Sequence, residues 1–404
     1  MEHFHKAEDW LMKLSSEAQF FRKDTPPSLE VVQQILDALG RPDQSFAWRV
    51  IVGGTAGKGT VCRLIEDVLL YAGKKVATLI SPHVQVLAER VRINGVLINA
   101  DEFGLTLLKI KKVCEELLVI PTYYEAIILA GILSAKNAGC EILICEVGMG
   151  GRLDAVNSVQ GKRVSALTFI GDDHLEMFDG NIGKMAQEKA GIFTSDSVYN
   201  VSYEQKMCST LNKIAKTEID YVKGIKAKLN KKLARKICKH VLGHDKFIMR
   251  KIQLPGRWEK INSQLKITND ELLERKQKII LDAAHSAPRF EFILPKIKKL
   301  KGPKIGVFAM TKNHDPKSFS PILDQFDEII WTEVQGEREF HKSEELQKIY
   351  ERGVFETNPT QALKKAQDMD GTVIVLGSFY LVGILREQFY SSEKILEQQT
   401  EFPS

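Results

Sequence analysis

The chain has 404 residues, a formal net charge of +5, and 44% hydrophobic and 27% charged residues. This length is too great for one compact core and predicts two domains, and the composition is that of a soluble globular protein. No apolar run approaches the roughly 20 residues of a membrane span. The N-terminus lacks the apolar core of a signal peptide, and the six cysteines form no C-x-x-C pair that would suggest a zinc site. We therefore expect a cytoplasmic protein with reduced thiols.

Strands and helices are predicted to alternate through most of the chain. The predicted strands are 49–53, 75–80, 141–147, 164–170, 198–202, 278–282, 305–310, 328–332 and 372–376, with helical patterns between them, for example at 28–39, 124–138 and 361–368. Repeated βα units imply mostly parallel sheets, and Asn94-Gly95 predicts a hairpin over 91–98. The pattern breaks at 254–257, where we place a linker between an N-terminal domain (1–254) and a C-terminal domain (258–404).

One segment, 223–251, carries much of the positive charge. It has eleven Lys or Arg residues against one acid, Asp245, and an apolar residue at every fourth position from Ile225 to Val241. This spacing predicts an amphipathic helix with a basic outer face. We favour a solvated face. Nucleic-acid binding would call for interleaved aromatic residues, and attraction of a polyanionic substrate is a third interpretation.

A glycine-rich stretch follows the first predicted strand. Residues 53–60 read Gly-Gly-Thr-Ala-Gly-Lys-Gly-Thr, and a helical pattern begins at Val61. Glycines let backbone N–H groups approach a phosphate chain, the lysine supplies a cation, and a hydroxyl can bind Mg²⁺. The strict P-loop pattern has Ser or Thr directly after the lysine, whereas here Gly59 precedes Thr60. The context must therefore decide whether this loop binds ATP.

Polar residues also follow four later apolar runs. They are Glu146, His174, Asp282 with His285 three residues on, and Ser378. Ligands of parallel sheets bind outside the carboxyl ends of the strands, and an acid near a P-loop can hold Mg²⁺. Each residue alone has a plain structural interpretation as a salt-bridge partner, a loop histidine or a helix cap. Four in succession favour a site.

These motifs give the chain a family resemblance. It resembles the folylpolyglutamate synthase/dihydrofolate synthase family of Mur-type amide ligases. The segments that carry the resemblance are 54–60 (GTAGKGT), 81–83 (SPH), 89–95 (ERVRING), 146–155 (EVGMGGRLDA), 173–174 (DH), 188–192 (EKAGI), 255–257 (PGR), 282–285 (DAAH) and 377–383 (GSFYLVG). The resemblance implies an α/β fold, with a P-loop Mur-ligase-like central domain on a mostly parallel sheet and a smaller Rossmann-like C-terminal α/β domain.

The resemblance also implies an activity. Such an enzyme adds L-glutamate to a folate-type carboxylate, making dihydrofolate from dihydropteroate, folylpolyglutamate from folate, or both. It works through an acyl phosphate, uses ATP and Mg²⁺, and releases ADP and phosphate. We expect a monomer that takes these small molecules, with no nucleic-acid or membrane partner. Two alternatives remain: a nucleotide-binding paralogue with a regulatory role, and a cell-wall peptide ligase.

The resemblance assigns residues to roles. ATP-binding residues would be Gly57, Lys58, Gly59, Thr60, Asn230, Arg257 and Asp282, and Mg²⁺ ligands would be Ser81, Glu146, His174 and a carbamylated Lys189. The pterin-bearing substrate would meet Thr122, Tyr123, Tyr124, Glu125, Leu153, Asp154 and Ala155, and glutamate would meet His285 and Ser378. Catalytic roles would fall to Lys58, Lys189 and His285. From the residues alone, Lys189 is better explained by helix C-terminus chemistry, and the two tyrosines have core packing as their plain interpretation.

The sequence departs from the family pattern at several positions. Ala56 and Ser286 stand where the family usually has Asn, Ala283 replaces a small residue that is usually Gly, and Lys226-Ala227 replaces a His-Gln pair. The charged and metal-binding positions are intact. We therefore predict activity, with altered contacts to ATP and glutamate.

Overall fold

The structure, a computed structural model, describes residues 1–21, 28–171, 180–193, 197–201, 205–215, 217–224, 226–261, 278–336 and 338–404. The chain forms two compact units. Unit 1 comprises Met1–Pro82 and Leu87–Ile252, and unit 2 comprises His83–Val86 and Gln253–Ser404. His174, predicted to bind a metal, lies outside the described residues.

Unit 1 is built on a sheet that has eight strands in the described part of the chain. Its strands are β1 (Trp48–Gly53), β2 (Val76–Leu79), β3 (Val91–Ile93), β4 (Val96–Leu97), β5 (Ile142–Glu146), β6 (Arg163–Leu167), β7 (Ser197–Val201) and β8 (Ile219–Val222). They lie in the order β4-β3-β2-β5-β1-β6-β7-β8. Pairing is parallel except at β2–β3 and β3–β4, which are antiparallel. The β3–β4 pair is the predicted Asn94-Gly95 hairpin, which is confirmed. Both turn residues have positive φ, as a type I′ turn requires.

The described part of unit 1 also has eight α-helices. They are α1 (Glu2–Phe21), α2 (Glu30–Ala38), α3 (Lys58–Tyr71), α4 (Ala100–Leu117), α5 (Tyr123–Asn137), α6 (Ile182–Ala190), α7 (Gln205–Ile214) and α8 (Lys226–Leu242). Helix α8 is the predicted basic helix, although it ends at Leu242 and residue 225, predicted to begin its apolar stripe, lies outside the described residues. Its apolar residues Leu233 and Ile237 are buried in a core shared with α3 and strands β1, β5 and β6, so the amphipathic prediction is confirmed.

Unit 2 has a second sheet, with six strands among the described residues. They are β9 (Glu259–Ile261), β10 (Lys278–Leu281), β11 (Lys304–Phe308), β12 (Glu328–Trp331), β13 (Val354–Phe355) and β14 (Thr372–Leu376), in the order β13-β12-β11-β14-β10-β9. All pairs are parallel except β9–β10. The helices are α9 (Ala287–Ile297), α10 (Ser320–Leu323), α11 (Ser343–Tyr350), α12 (Pro359–Gln367), α13 (Phe379–Arg386) and α14 (Ser392–Gln398).

Two apolar cores lie on the two faces of the sheet in unit 2. In β14, Val373 and Val375 join one core, whereas Ile374 and Leu376 join the other, as alternation along a strand requires. Strands buried on both faces read as continuous apolar runs, which is why they are recognisable in the sequence. The prediction of an α/β fold with mostly parallel sheets is confirmed.

A buried ion pair joins distant segments of unit 2. Arg386 at the end of α13 donates from Nε to Glu259 Oε1 at 2.9 Å, and neither side chain is exposed. The guanidinium also donates from Nη1 to Gln85 Oε1 at 2.8 Å and from Nη2 to the carbonyl oxygen of Glu401. The short segment His83–Val86 is thereby bound into unit 2. The carbonyl oxygen of Val84 lies so close to Gly383 that a Cβ there would overlap it.

No helix among the described residues has both the length and the apolar character needed to cross a membrane.

Candidate functional site

The glycine-rich loop joins β1 to α3. Gly54 and Gly57 have φ values of 122° and 93°, which residues with a Cβ rarely adopt. The loop is held against the segment after β6, because Thr55 N–H donates to the Phe169 carbonyl at 2.7 Å and the Thr55 hydroxyl bonds to Gly171. Helix α3 begins at Lys58, so its first turn and its positive dipole end lie at the loop. A helix N-terminus reached through such a loop is a ready anion site.

Lys58 and Glu146 meet beside this loop. Lys58 Nζ lies 4.0 Å from Glu146 Oε1, and both side chains are nearly buried, with 11% and 8% exposed. Strands β1 and β5 are neighbours, so the loop after β1 and the last residue of β5 share one edge of the sheet. A Cβ on Gly59 would lie 3.1 Å from Glu146 Oε2, a close contact that favours glycine between the lysine and the hydroxyl of Thr60.

Ser81 and Asn230 also reach this edge of unit 1. The backbone N–H of Ser81 donates to Glu146 Oε2 at 3.1 Å. Asn230, on α8, lies against the loop so closely that a Cβ on Gly57 would overlap its Nδ2 atom. The structure therefore brings Gly57, Lys58 and Glu146 together with both of these predicted residues.

Lys189 lies in the last turn of α6 and is 9% exposed. The segment 150–157 packs on this helix end: Arg152 N–H donates to the Glu188 carbonyl at 3.0 Å. A Cβ on Gly151 would lie 2.6 Å from the Lys189 carbonyl oxygen, so glycine is needed there. Within the described residues, no group of three or more His, Cys, Asp and Glu side chains could hold a metal ion by itself.

The predicted pterin segment 122–125 begins α5. The Thr122 hydroxyl accepts from Glu125 N–H at 3.2 Å, and Glu125 Oε2 accepts from Thr122 N–H at 2.7 Å. This reciprocal capping box fixes the start of the helix. The Tyr123 ring lies under the Arg90 guanidinium, 5.4 Å from the ring centre. Thr122 and Glu125 therefore have a structural role here, whatever they bind.

Tyr124 and Asp154 organise the loop that follows β5. The Tyr124 hydroxyl donates to Asp154 Oδ1 at 3.1 Å, and Asp154 accepts from the N–H groups of Gly148, Met149 and Val156 at 2.8, 3.1 and 3.0 Å. Burial raises the pKa of the Asp154 carboxyl to about 6, against the hydrogen bonds that lower it. Two further predicted residues flank it: Ala155 is buried and Leu153 is partly exposed.

In unit 2, Asp282 directly follows strand β10. Its carboxylate accepts from the N–H groups of Trp258 and Ala284 at 2.7 and 2.9 Å and is 4% exposed. Burial raises its pKa, and the charges of Arg257 and Lys296 oppose that shift. The guanidinium of Arg257 lies over the ring of Phe379, 4.5 Å from its centre. Asp282 and Arg257, both predicted to bind ATP, are therefore neighbours.

His285 and Ser378 follow the adjacent strands β10 and β14. His285 Nδ1 donates to the Ala283 carbonyl at 2.8 Å, and the ring lies 5.8 Å from Phe379, centre to centre. Burial, with the nearby charges of Arg289 and His314, lowers the pKa of His285 well below its ordinary value. The Ser378 hydroxyl caps α13 by accepting from Tyr380 N–H at 3.0 Å.

Sequence reasoning missed two residues of this cluster. His314 stacks at a tilt on His285 with ring centres 5.1 Å apart, and Arg289 lies near both His285 and Phe379. His314 comes six residues after β11, so the rule that polar residues beyond strand ends gather at one edge could have found it. Arg289 is in the first turn of α9, where only the tertiary structure reveals its neighbours.

Comparison with known proteins gives a family match over more than half of the chain. The model of the Mur ligase middle domain matches residues 52–268.

Named relatives agree with this match. The chain is 27% identical over 385 residues to a dihydrofolate synthase/folylpolyglutamate synthase of Haemophilus influenzae, covering 82% of this chain and 87% of that protein. It is 37% identical over 164 residues to the Escherichia coli protein of the same name, covering 41% and 38%. The matches to this and several other curated relatives span about two fifths of those proteins' length.

A solved structure shares the fold. Folylpolyglutamate synthase of Mycobacterium tuberculosis, complexed with ADP, superposes with a TM-score of 0.82 at 20% identity, covering 97% of this chain and 99% of that one.

Proposed function

Since the chain belongs to the Mur ligase middle-domain family, we propose that it is an ATP-dependent ligase that adds L-glutamate to a folate-type carboxylate. The observation that carries the proposal is the charged pair at the phosphate loop, with Lys58 Nζ 4.0 Å from Glu146 Oε1 at the start of α3. The names of the relatives supply the acceptor class, which is dihydropteroate, a reduced folate, or both.

The proposed reaction has two steps. The acceptor carboxylate attacks the γ-phosphorus of ATP, and the bond between that phosphorus and the β-phosphate oxygen breaks. ADP departs, and the acceptor is now an acyl phosphate. The glutamate amine then attacks the acyl carbon, phosphate leaves with the bonding electrons, and the amine proton passes to solvent or phosphate. Such chemistry needs positioning and neutralisation of charge more than covalent help.

Residues of unit 1 suit the first step. The N–H groups of the loop and the first turn of α3, with Gly57, Gly59 and Thr60, would hold the phosphates, and Lys58 would neutralise their charge. Asn230 would add a side-chain amide beside Gly57. Position 56 lacks such an amide because it is alanine, which is buried there.

The donors around Glu146 fit Mg²⁺. A carboxylate and the hydroxyl of Ser81, whose N–H already bonds to Glu146, are the hard oxygen ligands that this ion prefers. Glu146 and Ser81 would hold it, with His174 and a carbamylated Lys189 as further proposed ligands. Bound there, the ion would supply positive charge to the triphosphate.

We assign the remaining substrates to the other predicted residues. Arg257 and Asp282 would bind ATP, and His285 and Ser378 would bind glutamate. The pterin-bearing substrate would meet Thr122 to Glu125 and Leu153 to Ala155. Because the hydroxyl of Tyr124 is engaged with Asp154, Tyr123 is the better candidate for stacking on the pterin. We also propose that the protein acts as a monomer in the cytoplasm.

The test is a reaction of the purified chain with ATP, Mg²⁺ and L-glutamate, with dihydropteroate or tetrahydrofolate as acceptor. We expect acceptor-dependent release of ADP and a product heavier by one glutamate residue, measured by mass spectrometry. Comparing the two acceptors side by side identifies the preferred one. Release of ADP with neither acceptor contradicts the proposal and favours a regulatory nucleotide-binding protein.

A further inference from the structure

The N-terminus of α9 carries a buried hydroxyl that the fold does not use. Ser286 is the N-cap residue of this 11-residue helix, yet its side chain makes no capping hydrogen bond. Its Oγ atom has no hydrogen-bond partner among the described residues, although the residue is only 7% exposed. Burying a hydroxyl without a partner costs free energy, so such a group calls for an explanation.

Neighbouring residues make this helix end electropositive. Arg289 lies in the first turn of α9, His314 stacks on His285, and the dipole of α9 adds partial positive charge at its N-terminus. Burial is the main cause of the lowered pKa of His285, and the charges of Arg289, His314 and Arg257 lower it further. An anion would be stabilised here.

Few backbone N–H groups at this helix end are available to donate to a ligand, so a side-chain donor matters more here. Pro288, the second residue of α9, has no N–H, and the N–H groups of Arg289 and Phe290 already donate to the Ser286 carbonyl at 3.0 Å. The Ser286 hydroxyl is therefore a main donor for any ligand of the first turn. Without a ligand it stays unused.

His285 offers the complementary hydrogen-bonding role. Because its Nδ1–H donates to the Ala283 carbonyl, its Nε2 atom carries the lone pair of the neutral ring. Two consecutive residues thus provide an acceptor for N–H groups and a donor for a carboxylate. This pairing matches the amine and carboxylate of an amino acid.

We propose that the first turn of α9 binds a carboxylate of the incoming amino acid. The Ser286 hydroxyl would donate a hydrogen bond to it, and the basic residues Arg289 and His314 would lie nearby. This inference rests on the proposed function and names the group that selects its amino-acid substrate. A phosphate of the nucleotide has similar anionic oxygens, and the experiment separates the two ligands.

The decisive variant is Ser286→Ala, tested by steady-state kinetics with L-glutamate and ATP varied in turn. We expect the KM for glutamate to rise about tenfold, as for the loss of a hydrogen bond to a charged group, while the KM for ATP changes by less than about twofold. Arg289→Gln should raise the KM for glutamate at least as much. An unchanged KM for glutamate, or a rise in the KM for ATP alone, overturns the inference.

Thermal unfolding distinguishes ligand binding from a structural role. Because Ser286 does not cap its helix, Ser286→Ala should leave Tm unchanged or slightly higher. The matched control is Ser391→Ala, which removes a hydroxyl that does cap α14 by accepting from Lys394 N–H at 3.3 Å. That variant should lower Tm by roughly 2 °C with unchanged kinetics. An equal fall of Tm in Ser286→Ala would mark Ser286 as a cap and overturn the inference.

Equilibrium binding keeps this test separate from the test of catalysis. Calorimetry with L-glutamate and a non-hydrolysable ATP analogue should show the same tenfold loss of glutamate affinity in Ser286→Ala. If the wild-type chain binds glutamate tenfold more tightly than Ser286→Ala but releases no ADP, the proposed function fails while this site stands. If the wild-type chain releases ADP and both proteins bind glutamate equally, the site fails alone.

Discussion

Lys58 and Glu146 form an ion pair that the proposed chemistry needs. Lys58→Ala and Glu146→Ala should each lower the rate of ADP release by about two to three orders of magnitude, because each removes charge stabilisation from the phosphates or their cation. Circular dichroism should remain that of the wild-type protein. Lys74→Ala, at a lysine of unit 1 that is 43% exposed and pairs with Glu141 at 3.7 Å, is the control and should be fully active. Unchanged turnover in either site variant would refute the assigned role.

Gly57 and Gly73 flank α3 and offer a matched pair of substitutions. Both have positive φ, 93° and 76°, so alanine brings similar backbone strain, about 1 kcal/mol, to each. A Cβ at Gly57 would overlap Asn230 Nδ2, whereas a Cβ at Gly73 would meet nothing within 4 Å. Gly57→Ala should therefore raise the KM for ATP tenfold or more, and Gly73→Ala should leave it unchanged. Equal kinetics in the two variants would show that the contact between Asn230 and the loop has no role in ATP binding.

Some of the site was readable from single residues, and some was not. Glu146 and Asp282 were recognisable because each ends an apolar run, and parallel strands bring such ends to one edge. The unsatisfied hydroxyl of Ser286 was not recognisable in the sequence, because serine before a helix ordinarily predicts a cap. The contact of Asn230 with Gly57 joins positions 173 residues apart, and no local pattern encodes it.

At the scale of elements, the loop after β5 depends on one buried carboxyl. The pKa of Asp154 is about 6 in the folded protein and 3.8 for an ordinary aspartate, so the folded chain holds this proton more tightly. The contribution to stability is complete below pH 3.8 and is lost as pH rises through 6, by up to about 3 kcal/mol.

The measurement is urea unfolding from pH 4 to pH 8 for the wild-type protein and Asp154→Asn. Asparagine does not titrate, so the free energy of unfolding of the variant should fall less with pH across this range. The variant should also be less stable at every pH, because an amide cannot accept all of the hydrogen bonds that reach the carboxylate. The same pH dependence in both proteins would show that Asp154 does not titrate near 6.

Element prediction succeeded where the physical signal is local. Most strands of both sheets were found within a few residues because buried parallel strands are continuously apolar, although β6 ends at Leu167 and not at 170. The edge strands β8 and β13, which each pair on one side only, were missed, and so was the antiparallel β9. It has three residues, and its Glu259 side chain is bonded to Gly256 N–H and to Arg386, which lies 127 residues away. Its position depends on those contacts and not on any local period.

At the scale of the whole molecule, the α/β class and the parallel character of both sheets followed from the order of strands and helices. A linker at 254–257 predicts that the chain passes only once from one domain to the other. It could not have indicated that four residues far upstream belong to unit 2, because His83–Val86 has no compositional mark of its own. Its assignment depends on Gln85 bonding to Arg386 and on Val84 lying against Gly383.

That short segment has a consequence for how the protein can be divided. The backbone passes between the two units three times, after Pro82, after Val86 and after Ile252. A gene fragment that starts at residue 253 would leave the guanidinium of Arg386 without the amide oxygen of Gln85 and would uncover the backbone of Gly383. We therefore expect an exchange of unit 2 with a relative to give a more stable protein when it carries residues 83–86 along.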